Sequence, residues 1–430
     1  YTPFLAGWGT KLWGHYTTKD WIHYKEEEPF LYPDEEWDRD GVYSGSAYTC
    51  EDGIHYFYTG NVKLWDKDYD YIMNGREQNT IHVFSPDGKN IAYKKLVMTN
   101  DDYPVNMSKH VRDPKIYKKD GRYYMIQGGR DAESYGCALL FCSDDLEHWK
   151  WYDTVRTAKP FGYMWECPDF FTLNGKRVLM FSPQGLAADG FKHRNLFQSG
   201  YLVGEWQPGQ PFVREGEFVE MDYGHDFYAP QSFLTPDGRR LVIGWLGMWE
   251  SPQPEQEDGW AGMLSLPREL TLSADNHLQM QPAREVESLR GAWFPWPIGT
   301  LNNQQMTLVE HCDAMEVILQ WDCANSSAEQ YGIRLGDGLR LYVDAQMQRL
   351  VLERDYPQYG LCGTRSVALN LINALNLRLF FDSSSVEVFV NEGEACLSSR
   401  IYPDADCREL ALFAWTGGAS LIHGGAWQLE

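Results

Sequence analysis

No run of about 18 apolar residues occurs in the 430-residue chain, so nothing in it reads as a membrane-spanning helix. No C-x-x-C pair occurs either. The nine cysteines are scattered from Cys50 to Cys407, with Cys137/Cys142 and Cys312/Cys323 as the closest pairs. That spacing excludes a zinc ribbon and a disulfide framework, and it predicts free thiols in a reducing, cytoplasmic compartment. The eleven histidines include no pair at i, i+4, so neither a metal site nor a cofactor is expected. Positive charge is scarce as well: 38 Lys and Arg stand against 61 Asp and Glu, a net charge of −23. Such a surface repels phosphate backbones and anionic lipid, which excludes nucleic acid and membranes as expected partners. The first residues carry no initiator Met, basic segment or apolar leader, so the chain is expected to follow a cleavage or to begin inside a longer protein.

Aromatic residues, by contrast, are abundant. There are 17 Trp, 26 Tyr and 20 Phe, which suit strands and also the apolar faces of sugars. Stretches of helical period are rare, and one unit recurs: a short segment, an Asp-Gly or Asn-Gly turn, and an aromatic or β-branched run. It reads VYSGSAYTCEDGIHYFYTGN (42–61), VRDPKIYKKDGRYYMIQGG (111–129), ECPDFFTLNGKRVLMFSPQG (166–185) and YAPQSFLTPDGRRLVIGWLG (228–247). The turns begin at Asp52, Asp120, Asn174 and Asp237. Hairpins repeated on this scale predict blades of a β-propeller. Residues 3–24 read as the second half of a further blade whose first hairpin would lie upstream. Residues 291–304 read as a linker after a propeller domain of residues 1–290. Alternating strands over 305–430 predict a β-sandwich that braces the propeller or mediates oligomers.

Repetition places equivalent positions at one height around a common axis. Asp113 lies 7 residues before its turn, Glu166 lies 8 before its own, and Ser44 lies 8 before Asp52. Asp113 and Glu166 are therefore expected to converge at one mouth of the central channel. Two acids at an aromatic-lined mouth suit glycoside hydrolysis, in which one carboxylic acid protonates the leaving oxygen and another acts at the anomeric carbon. Locally, Asp113 before a proline also fits a turn cap.

The strings WGH (13–15), DGVYSGSA (40–47), YTGN (58–61), RDPK (112–115), WECPDFF (165–171), GHDFYAPQSF (224–233) and SSVEVFVNEGE (384–394) resemble glycoside hydrolase family 32, in order and over essentially the whole chain. The likeness is strongest to its bacterial sucrose and sucrose-6-phosphate hydrolases. It implies a five-bladed β-propeller followed by a β-sandwich, and cleavage of β-fructofuranosides with retention through a fructosyl-enzyme intermediate. It implies Glu166 as general acid/base and Asp113 as the transition-state stabiliser that holds fructose hydroxyls, with Arg112 assisting. Tyr43 and Ser44 match the Phe-Ser of an F-S-G-S motif and are implied to line the fructose subsite. Trp8 and Trp260 are implied as sugar platforms. Cys167 stands where the family carries Cys or Val, either tuning the acid or simply packing.

The family's nucleophile is the Asp of a W-M-N-D-P-N-G string that these residues do not contain. Tyr1-Thr2-Pro3-Phe4 resembles the segment that follows it, so the nucleophile is expected upstream of residue 1, and residues 1–430 alone are expected not to form the intermediate. The implied partner is a small carbohydrate, sucrose or its 6-phosphate; a fructan hydrolase and a non-catalytic sugar-binding protein are the alternatives. The acidic run 34–40 reads as a solvated loop. Lys192-His193-Arg194 reads as a surface loop or a phosphate contact, and the Asp226 motif as channel floor or sugar rim.

Overall fold

Asp-Gly and Asn-Gly pairs do set hairpins here. Asp120 and Gly121 have φ of 51° and 81°, and Asn174 and Gly175 have 47° and 81°, the pair of positive angles that a type I′ turn requires. The computed structural model describes residues 2, 9–65 and 70–430. Among them the regular structure is strand and short 3-10 turns, with no α-helix.

Four antiparallel sheets follow one another along the chain. The first comprises Val42–Cys50, Gly53–Lys63, Arg76–Ser85 and Tyr93–Met98. The second comprises Met107–Lys119, Arg122–Asp131, Gly136–Ser143 and Lys150–Val155. The third holds Met164–Leu173, Lys176–Gln184, Gly200–Glu205 and Val213–Glu220. The fourth holds Tyr228–Leu234, Arg240–Leu246, Arg268–Leu272 and Leu278–Pro282, with Met263–Leu264 added alongside. In each sheet the first strand lies against the first strand of the next, so these strands line the axis of a β-propeller.

Apolar layers between the sheets hold the ring. Phe57 and Met98 pack with Val111, Met125 and Phe141 between the first and second blades. Ile126 and Leu140 pack with Trp165, Phe170 and Phe181 between the second and third. Val178 and Met180 pack with Val242 and Leu270 between the third and fourth. Among the described residues four full blades are thus seen where five are expected. A two-stranded sheet, Trp13–Thr18 with Tyr24–Leu31, accompanies them. Its Trp13 packs on Tyr56 and Tyr58 of the first blade, and Trp21 packs on Phe233 of the fourth.

The C-terminal part is a nearly closed sandwich organised by one long strand, Leu410–Leu429. Its first half pairs with Gln330–Leu335 and its second half with Met315–Asp322, so it passes from one layer to the other. The stretch 291–304, read from the sequence as a linker, belongs to this sheet. Arg290–Pro295 and Gly299–Val309 both pair along Leu410–Leu429. Their exposed side chains, and the prolines at 295 and 297 that separate the two strands, conceal the pairing from a sequence pattern.

Candidate active site

The innermost strand of every blade breaks its ladder at an equivalent place. Register is lost between Val42 and Gly45, Arg112 and Lys115, Glu166 and Asp169, and Tyr228 and Gln231. Each break is a bulge of two residues, which bends a strand and re-aims its side chains. In three blades the first bulged residue precedes a proline and has positive φ: Asp113 at 64°, Cys167 at 48° and Ala229 at 50°. The left-handed conformation is uncommon for such residues and collects at functional sites. The bulges also correct the expected alignment. Asp113 is equivalent to Cys167 and Tyr43, whereas Glu166 is equivalent to Arg112 and Tyr228.

The two acids nevertheless meet. Arg112 donates from Nε and Nη2 to Glu166 Oε1 at 3.0 and 2.6 Å, and its Nε lies 4.0 Å from Asp113 Oδ2. Asp113 Oδ2 accepts the backbone N–H of Cys167 at 2.8 Å, and the Asp113 N–H is held by Thr59 Oγ1 at 2.9 Å. Glu166 Oε2 accepts from Tyr228 Oη at 2.6 Å and Gln184 Nε2 at 2.8 Å. Both oxygens of Glu166 are therefore fixed by donors from three blades.

Burial raises the pKa of Asp113; Arg112 opposes the shift and the Glu166 charge adds to it. Burial and the neighbouring carboxylates push the Cys167 thiol well up, which keeps it protonated and leaves it as a packed donor rather than a further anion. Burial and Arg112 lower His110 to about 2. Its neutral ring accepts Arg112 Nη1 at Nδ1 (3.0 Å), and its Nε2 then donates to the Tyr71 carbonyl at 3.1 Å.

The sequence matches known proteins along its length. The family description "Glycosyl hydrolases family 32 N-terminal domain" matches residues 1–282, and "Glycosyl hydrolases family 32 C terminal" matches residues 285–428. The chain belongs to glycosyl hydrolase family 32. A raffinose invertase of Escherichia coli is 46% identical over 428 residues, covering 99% of this chain and 88% of that protein. A sucrose-6-phosphate hydrolase of Escherichia coli is 45% identical over 429 residues, with the same coverage of 99% and 88%. A solved β-fructofuranosidase of Bombyx mori, a mutant in complex with sucrose, superposes with a TM-score of 0.82 at 31% identity, covering 100% of this chain and 87% of that one.

As a family 32 glycosyl hydrolase the chain brings together most of the residues singled out from its sequence. Asp113, Glu166 and Arg112 form the cluster above. Tyr43 is half-buried beside Arg76 and Arg112, with its pKa raised by burial, and Ser44 contacts the Cys167 thiol. Trp260 stands apart: its ring lies on Arg400 at 5.8 Å, and among the described residues no hydrogen bond or ring contact joins it to Asp113 or Glu166. Trp8 lies outside the described residues. Sequence reasoning missed Tyr228, Gln184 and His110. Tyr228 had a signal, because it holds the place of Glu166 in a repeated x-x-Pro bulge; Gln184 had none.

Two discounted motifs are also relocated. Of the Asp226 motif, Tyr228 reaches the site at Glu166, whereas the Asp226 side chain faces away: its Oδ2 takes the backbone N–H of Arg400 at 2.8 Å and the Arg354 guanidinium at 2.5 Å, joining the propeller to the C-terminal sheet. The acidic run 34–40 is not wholly solvated, since Asp38 is fully buried against Tyr58 Oη and Lys94 Nζ, both at 2.6 Å.

Proposed function

We propose that this chain hydrolyses the β-fructofuranosidic bond of sucrose or sucrose 6-phosphate with retention, releasing fructose, and that Glu166 and Asp113 divide the chemistry. The observation that carries the reading is the four-donor cradle around Glu166. A protonated Glu166 gives its proton to the glycosidic oxygen, which spares the leaving sugar from departing as an alkoxide. The carboxylate then left behind is the species that Arg112, Tyr228 and Gln184 hold. The same carboxylate next takes a proton from the water that frees the fructosyl group.

Asp113 complements this step. One of its oxygens is pinned by Cys167, and the other is left to accept from fructose hydroxyls and to face the positive charge of the oxocarbenium-like transition state. Attack on the anomeric carbon needs a carboxylate that neither residue supplies in this reading. Tyr43, Ser44 and the tryptophans 8 and 260 are assigned to sugar contact.

The two-stranded sheet at 13–31 is read as the outer half of a fifth blade, because it touches both the first and the fourth. Residues through Pro282 are assigned to the propeller and residues from Arg290 to the sandwich. Nine free cysteines support a reducing, cytoplasmic location, and among the described residues no helix is long and apolar enough to cross a membrane. The test is fructose release from sucrose, sucrose 6-phosphate and inulin by protein expressed from its whole reading frame. Release from either sucrose substrate, faster than from inulin, is expected. Hydrolysis of inulin alone, or binding of sucrose without cleavage, would overturn the assignment.

A further inference from the structure

The first strand of the first blade runs from the sugar-site bulge to a hairpin at its far end. The register pairs Tyr48 with His55 and Cys50 with Gly53. Cys50 and His55 are therefore diagonal neighbours on one face of the hairpin, and Asp52 occupies the turn between them. One sulfur, one carboxylate oxygen and one imidazole nitrogen come within 4.8 Å of one another. His55 Nε2 faces Asp52 Oδ2 at 3.5 Å, and His55 Nδ1 lies 2.8 Å from Nε2 of His82 on the neighbouring strand. His82 is buried, and its Nδ1 has no hydrogen-bond partner.

We propose that Cys50, Asp52 and His55 bind a Zn2+-like divalent cation on the propeller face remote from the sugar site, with His82 orienting His55 from behind. A thiolate, an imidazole and a carboxylate are the donor set that borderline-soft ions take, whereas Ca2+ and Mg2+ select oxygen. Three protein ligands leave a fourth position to water. A ligating histidine needs its other ring N–H held by an acceptor, which fixes the tautomer. With a cation held at Nε2, the His55 Nδ1–H would donate to His82 Nε2, 2.8 Å away, and Nε2 would present its lone pair on the Asp52 side. On binding, the Cys50 S–H bond breaks as the sulfur–metal bond forms, the proton goes to solvent, and the ion keeps its charge. No such site is legible in the sequence, because the spacing 50, 52, 55 is neither a helical His pair nor a C-x-x-C. It becomes a cluster only when the hairpin folds.

Titration of chelator-treated protein with Co2+, and competition with Zn2+, tests the site. One Co2+ per chain is expected, with a thiolate-to-cobalt charge-transfer band. Cys50→Ser should abolish the band, and His55→Gln should weaken binding about 100-fold or more. His82→Phe, which keeps an aromatic ring stacked on Phe57, should weaken it by about 10- to 100-fold. Asp52→Asn sits on an exposed turn, so it tests the third ligand without risk to folding, and about tenfold weaker binding is expected. Cys362→Ser removes an exposed thiol elsewhere and should change nothing. Absence of the band in the parent protein, or its survival in Cys50→Ser, overturns the site.

Discussion

Asp113 Oδ2 accepts the backbone N–H of Cys167 at 2.8 Å, while Arg112, the residue before Asp113, donates twice to Glu166, the residue before Cys167. Two adjacent residues of one blade thus grip two adjacent residues of the next. Neither acid can shift without moving the other. The coupling passes through the two bulges, where positive φ turns Asp113 and Cys167 out of their ladders.

Asp113 makes a trade of stability for function measurable. Burial, opposed by Arg112 and reinforced by Glu166, raises its pKa in the folded protein. Between the ordinary carboxylate value and that higher one, the native state holds a proton that the unfolded chain has released. Stability therefore falls as pH rises through this window, and the cost is full above it. Asp113→Asn keeps an oxygen for the Cys167 N–H and removes the titration. A gain of about 1–2 kcal/mol at pH 7 is expected in thermal unfolding, shrinking as pH is lowered toward 4, together with loss of sucrose turnover. A lower melting temperature at pH 7 would contradict the balance of burial over pairing.

Glu166→Gln preserves the shape of the cradle and removes the proton donor. A fall in kcat of about 10²- to 10⁴-fold is expected with KM nearly unchanged. An aryl β-fructofuranoside whose leaving group needs no protonation should lose far less. Tyr228→Phe removes one donor at 2.6 Å from Glu166. A hydrogen bond to a charged group contributes about 1.5–3 kcal/mol, so kcat should drop by about 10- to 100-fold. An equal loss for both substrates in Glu166→Gln would refute its role as the acid.

The fold was legible wherever period and turn chemistry agreed. Four Asx-Gly turns mark four blades, and two of them, at 120–121 and 174–175, take the paired positive φ that few other residues accept. The convergence of Asp113 and Glu166 followed from repetition alone. Their equivalence did not: counts of 7 and 8 from the turns already set them one residue apart, and the bulges align Asp113 with Cys167, which is also 7 residues before its turn. The strands at 290–309 were hidden for another reason. They lie at sheet edges, show solvent most of their side chains and carry proline, so they lack the alternation that identifies a half-buried strand. Tyr228 and Gln184 reach Glu166 from other blades, and contacts of that kind leave no local trace.

Gly128 sets how closely the second and third blades approach beside the site. It pairs with Arg112 in the ladder, and a Cβ there would sit 1.9 Å from the backbone carbonyl oxygen of Trp165. Backbone cannot swing aside as a flexible side chain can. Gly128→Ala should therefore push the blades apart at Arg112 and Glu166, costing about 1–3 kcal/mol or more in unfolding free energy and lowering kcat. Parent-like stability and turnover in this variant would mean that the contact between the blades is slack.

Arg268 gives the last test, at the seam between the propeller and the C-terminal sheet. It is fully buried and donates to Asp222 at 3.0 Å, to Glu387 at 3.2 and 2.7 Å and to Ser398 Oγ at 2.7 Å. Removing one partner of such a group strands the others, at a cost of about 3–5 kcal/mol. Arg268→Met, which fills much of the volume, should lower stability by that order at pH 7. Burial already raises the pKa of Glu387 against the pull of Arg268, and without the guanidinium that pull is gone. Glu387 then takes up a proton at higher pH in the variant, so the deficit should narrow as pH falls from 7 toward 5. Adding Asp222→Asn and Glu387→Gln to Arg268→Met should recover a large share of the loss, because the remaining groups are neutral. Chemical denaturation of the parent, single and triple variants at two pH values decides it: a deficit that is the same at both, and not recovered in the triple variant, would show that Arg268 stabilises the seam by packing rather than by charge.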